Sequence, residues 1–261
     1  MFDLLSPVNP RLRIKEINHY KVRTQQIDPQ VSSSGRILYL HGGAYVLGLT
    51  NNHINLCGTI AERSQMAVFL PHYHLAPEHP YPCALEDVFS VYCSMTSTIE
   101  AESPVFIGGD SAGGGLALAL LQKIIENGEV IPNGIFLFSP WTDLTLSGNS
   151  VIENAAVDPV LTESGLKADA RAYAGDYPLD EPYISPLFCD LKNFPPLLIQ
   201  AGSEEILLDD SRSLAIRAEA QGGNVSLSVW EDMFHVFQVF PMLAESEQAI
   251  DEVVDFIEKY S

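Results

Sequence analysis

The chain has 261 residues, 46% hydrophobic and 18% charged, which is enough apolar mass for a sizeable core and unlike a disordered tail or a fibre. Its 34 acidic and 14 basic residues give a net charge of −20 with no cluster of Lys and Arg, so nucleic acid and anionic membrane surfaces are repelled as partners. No run reaches the ~18 apolar residues of a membrane span. Four scattered cysteines (Cys57, Cys83, Cys93, Cys189) and a start, "MFDLLSPVNPRLR", that lacks a basic flank and a long apolar run predict a reduced, cytoplasmic protein.

At the N-terminal side, "LRIKEINHYKV" (12–22) and the turn "SSSG" (32–35) predict one or two antiparallel edge strands. From residue 36 onward, short β-type runs alternate with helical patterns. "RILYLH" is followed by 53–65, "AVFLPH" by 83–97, "PVFIGG" by 112–126, "GIFLFS" by a long insertion, "PLLIQAG" by 210–221 and "VSLSVW" by 243–259. Repeated βα units of this kind predict an α/β fold with a mostly parallel central sheet and helices on both faces. Covering both faces explains why the strands read as apolar throughout. The stretch 142–192 is too long for a simple connection, and 163–174 looks helical, so it is expected as a lid or cap insertion over the sheet's carboxyl edge. One domain over 1–261 is the expectation for a chain of this length and pattern.

One serine stands out. Gly109-Asp110-Ser111-Ala112-Gly113 fits G-x-S-x-G between a β-run and a helical run, the setting in which a nucleophilic serine is thrust above the sheet on a strained turn. The following helix would aim its N-terminal N–H groups at the site. A glycine-rich helix cap is the plain alternative. A phosphate loop is excluded, because there is no G-K-[ST] and the glycines do not fall as G-x-G-x-x-G.

A nucleophilic serine needs donors for the oxyanion. His41-Gly42-Gly43-Ala44, directly after a predicted strand, could supply main-chain N–H groups beside that of Ala112, although an ordinary glycine turn would read the same. Of seven histidines only His235, in "WEDMFHVFQ", follows the serine, and it comes just after the run "VSLSVW", where this chain order puts the general base. The acid should lie between them, in "GSEEILLDDSRS". Asp209 and Asp210 immediately precede a helical run and read as caps for it, which leaves Glu204 and Glu205, indistinguishable on physical grounds.

Taken together, "HGGAYVLG", "YHLAPEHPYPCALED", "GDSAGGGLALAL", "GSEEILLDDS" and "MFHVF" resemble the bacterial hormone-sensitive-lipase family of α/β-hydrolase esterases, from about residue 36 to the end. The resemblance implies a serine carboxylesterase for small esters, with Ser111 as nucleophile, His235 as base and no metal or organic cofactor. It also implies oxyanion donors among Gly42, Gly43 and Ala44 together with Ala112. Family members that read E-E-[VI]-L-L-D-D use the second glutamate, which is Glu205 here. Receptor offshoots of the family lack the catalytic histidine, so His235 weighs against a binding-only member; an amidase or lactonase with the same triad is the nearer alternative.

Three departures from the family pattern matter. A third glycine is replaced by Ala44, where a positive φ would be strained. The usual arginine of the Y-R-L-A-P-E motif is His74. Only 40 residues precede His41, so the N-terminal cap is expected to be short or truncated, leaving wide access, short acyl substrates and an exposed edge that favours a homodimer. A competing zinc site would use His72 and His74, from one face of a strand, with His79 near.

Overall fold

The computed structural model describes residues 7–33, 35–99 and 103–261. Eight strands form one sheet: β1 (Arg13–His19), β2 (Val22–Asp28), β3 (Arg36–Leu40), β4 (Ala67–Pro71), β5 (Val105–Asp110), β6 (Gly134–Phe138), β7 (Leu197–Gly202) and β8 (Val225–Trp230). They lie in the order β1-β2-β4-β3-β5-β6-β7-β8. The hairpin β1–β2 runs antiparallel and meets β4 antiparallel, while every pairing from β4 through β8 is parallel. The helices are α1 (Asn51–Ser64), α2 (Cys83–Thr96), α3 (Ala112–Asn127), α4 (Ser150–Glu153), α5 (Glu163–Ala174), α6 (Leu208–Ala220) and α7 (Ala244–Tyr260). None among the described residues is long and apolar enough to cross a membrane.

The apolar strands have a simple cause. Successive side chains point to opposite faces, and each face carries its own core. Leu38, Phe69, Ile107, Leu137 and Ile199 pack with α2, α3 and α6, whereas Ile37, Tyr39, Val68, Phe106, Phe136 and Leu198 pack with α1 and α7. The edge strand β8 departs from the expectation of uniform burial, for Ser226 and Val229 are exposed and the others half-buried. The two exposed residues lie on opposite faces, as expected of a strand paired on one side only, and Ser228 Oγ donates to Glu252 of α7.

The insertion holds α4, α5 and a 3-10 turn at Pro186–Phe188. Asp209 and Asp210 do not cap α6 as expected. Asp209 accepts from Ser150 N–H (3.0 Å), and Asp210 accepts from the N–H groups of Thr142 (2.7 Å) and Asp143 (2.8 Å), so both carboxylates moor the insertion. Residues 7–12, ahead of β1, contain no helix; the first six residues of the expected short cap lie outside the described residues.

Candidate active site

Three strand ends and the loop after a fourth converge at the carboxyl edge of the sheet. Ser111 is the single residue between β5 and α3, buried, with φ 51° and ψ −123°. Strand-to-helix reversal in one residue forces that strained backbone and demands close packing around it. A Cβ on Gly113 would lie 2.0 Å from Leu40 O, and one on Gly42 would lie 2.2 Å from Asp110 Oδ2 and 3.0 Å from Ser111 Cβ. Only glycine lets β3, its following turn and α3 approach so closely.

His235, in the loop after β8, places Nε2 2.9 Å from Ser111 Oγ and Nδ1 2.5 Å from Glu205 Oε2. A carboxylate can only accept, so Nδ1–H donates to it and Nε2 is left to accept from the serine hydroxyl. Glu205 is fully buried, and its other oxygen accepts from Gly202 N–H at 2.7 Å. Asn154 Nδ2, from the insertion, donates to the main-chain oxygens of Glu205 (2.9 Å) and Ser203 (3.0 Å). Glu204, half-buried, points to no imidazole; its N–H donates to Met233 O.

Gly42, Gly43 and Ala44 form the turn after β3, and no hydrogen bond among the described residues uses their N–H groups. Ala112 begins α3, so its N–H has no intrahelical acceptor. Ala44 takes φ 54°, the strained value its replacement of a glycine entails.

Several side chains to which the sequence reading gave no role support this turn. Asp110 is buried under Gly42, hydrogen-bonded by Tyr39 Oη (3.0 Å) and facing His53 Nε2 at 3.4 Å. Burial alone would raise its carboxyl, but the facing His53 and the hydrogen bonds from His53 and Tyr39 outweigh that and hold it below the usual carboxylate range. Burial, aided by His53, pushes His41 down to about 3, so its imidazole stays neutral. It stacks on Tyr73 at 4.3 Å while its Nδ1–H faces Gly42 O at 2.7 Å. An acidic residue directly before the serine, at the end of the apolar run "VFIGGD", was the available sequence signal for this network.

The competing metal site does not assemble. β4 ends at Pro71, so His72 and His74 lie beyond the strand whose alternation would have paired them. His72 Nε2 faces Arg23, and His74 Nδ1 bonds Asp87 at 2.6 Å, with His79 edge-on to its ring. Among the described residues no group of three or more His, Cys, Asp or Glu is placed to hold a metal ion.

Comparison with known proteins gives concordant matches. Residues 37–239 match a family model described as the α/β hydrolase fold. An esterase of Acinetobacter venetianus is 39% identical over 254 residues, 97% of this chain and 84% of that protein. An acetyl-hydrolase of Streptomyces hygroscopicus is 36% identical over 232 residues, 88% of this chain and 78% of that protein. The crystal structure of an esterase from the bacterial hormone-sensitive lipase family superposes with a TM-score of 0.94 at 36% identity, covering 98% of this chain and 87% of that one.

Proposed function

Because this chain belongs to the α/β-hydrolase family, as one of its bacterial hormone-sensitive-lipase esterases and a carboxylic ester hydrolase, we propose that it cleaves small, short-acyl esters through an acyl-enzyme on Ser111. The observation that carries this reading is the unbroken hydrogen-bonded line from Ser111 Oγ through His235 to Glu205, at 2.9 and 2.5 Å. His235 Nε2 takes the hydroxyl proton as Oγ attacks the ester carbonyl. The oxyanion is held by Ala112 N–H and two of the N–H groups of Gly42, Gly43 and Ala44, which are worth about 3 kcal/mol of transition-state stabilisation each. Glu205 keeps the imidazole in the right tautomer and stabilises its cation without accepting the proton. His235 then protonates the departing alcohol, and the same steps with water release the acid.

In this reading the chain is one α/β-hydrolase unit over 1–261, with 142–192 as its cap. The name of the Streptomyces relative, an acetyl-hydrolase, supports a short acyl chain. Four free thiols support a cytoplasmic enzyme, and β1, at the sheet's edge, offers a place for a homodimer to pair. Hydrolysis of chromogenic acetate, butyrate, octanoate and decanoate esters tests the reading. Rates should be greatest on the two short chains and vanish in Ser111→Ala; a maximum at octanoate or decanoate would refute the acyl-length assignment, and an active Ser111→Ala the nucleophile.

A further inference from the structure

The turn that carries the free N–H groups is strained at two consecutive side-chain-bearing residues, Ala44 (φ 54°) and Tyr45 (φ 65°). Left-handed backbone of this kind persists only where its surroundings impose it. Part of that constraint comes from the main chain: Val46 and Leu47 donate to Gly43 O, and Ala76 N–H donates to Tyr45 O. The rest falls on the Tyr45 side chain, which is 2% exposed. Its hydroxyl lies 2.9 Å from where a Cβ on Gly115 would stand, in the first turn of α3. One ring therefore packs between the glycine turn and the helix, the two sources of N–H groups at Ser111.

Against that ring lies Tyr173 of α5, with centroids 3.6 Å apart and planes within 7°. Tyr173 is itself fixed: it is 1% exposed, and its main-chain oxygen accepts from Tyr81 N–H at 2.8 Å. Its hydroxyl is buried without a hydrogen-bond partner among the described residues, so the packing uses the ring.

We propose that Tyr173 is a positioning residue which, through its stack on Tyr45, sets the placement of the glycine-turn N–H groups relative to Ala112 N–H. It touches no reacting atom; it couples the 142–192 segment to oxyanion stabilisation. The inference rests on reading Ser111 as the nucleophile and these groups as its oxyanion donors.

Matched oxoester and thionoester substrates test it. Sulfur is larger than oxygen and a weaker acceptor, so the ratio of the two rates reports donor placement, which a loss of general stability does not alter. Tyr173→Phe keeps the ring and is expected to retain kcat within about twofold. Tyr173→Leu is expected to lose about tenfold to a hundredfold in kcat with KM changed less than about threefold, and to lower the oxoester preference. Tyr173→Met fills the space without a ring and gives the same readout should the Leu variant not fold. Wild-type kcat and oxoester preference in the folded Leu or Met variant would overturn the inference, and so would an equal loss in Tyr173→Phe. Ser111→Ala, measured alongside, separates the two levels: if it still hydrolyses ester, the nucleophile reading fails on its own account.

Discussion

Glu204 and Glu205 differ by one position, and the local sequence gives no reason to prefer either. What separates them is where β7 ends: Gly202 N–H turns back to Glu205 Oε1, which aims its Oε2 at His235, while Glu204 remains half-buried beside the loop after β8. Glu205→Gln should therefore lower kcat by about three to four orders of magnitude. Glu204→Ala should stay within about threefold of wild type, and steady-state kinetics that ranked the two the other way would reassign the acid. Ser111 and His235 were legible in the sequence because a glycine-crowded turn and a lone late histidine carry their signal locally. Tyr173 was not, because its role depends on a partner 128 positions away (173 minus 45) that only the packing of α5 reveals.

Among the elements, β3 to β8 and most helices were readable within two residues, since covering both sheet faces writes itself as apolar runs, whereas β2 (Val22–Asp28) lies almost wholly beyond the stretch 12–22 read for the edge hairpin. The insertion was readable as a length and not as a set of contacts. Its mooring by Asp210 has a consequence for pH. Burial pushes the Asp210 carboxyl up to about 8 against the hydrogen bonds from Asp143 and Thr142 N–H, with nearby Asp143 adding to the rise. Between the ordinary carboxylate value of about 4 and about 8, the folded chain keeps a proton that the unfolded chain gives up. Stability from this group thus falls as pH rises across that window and levels off above it. Asp210→Asn, which resembles the neutral acid, should match wild type in Tm at the acid end and exceed it above about pH 8. A wild-type Tm that instead gained on the Asn variant with rising pH would show that the hydrogen bonds, and not burial, govern this carboxyl.

For the molecule as a whole, the parallel sheet is the device that makes distant residues neighbours. Ser111 and His235 are 124 positions apart, and Glu205 and His235 are 30 apart, yet β5, β7 and β8 deliver all three to one carboxyl edge. That convergence follows from right-handed βα units laid side by side, which is why the order serine, acid, histidine along the chain anticipated the arrangement in space. The partial exposure of β8 and the acidic side chains that hold the insertion were harder to anticipate, because each depends on which element ends at an edge or folds back over the sheet. The central claim, that Ser111 is the nucleophile of this esterase, is tested most directly by treating the full chain with a small organophosphonate ester and mapping the adduct by peptide mass. The account predicts one adduct, on the peptide bearing Ser111, rising in step with loss of hydrolysis. Inactivation with the label elsewhere, or undiminished turnover with Ser111 fully modified, would contradict it.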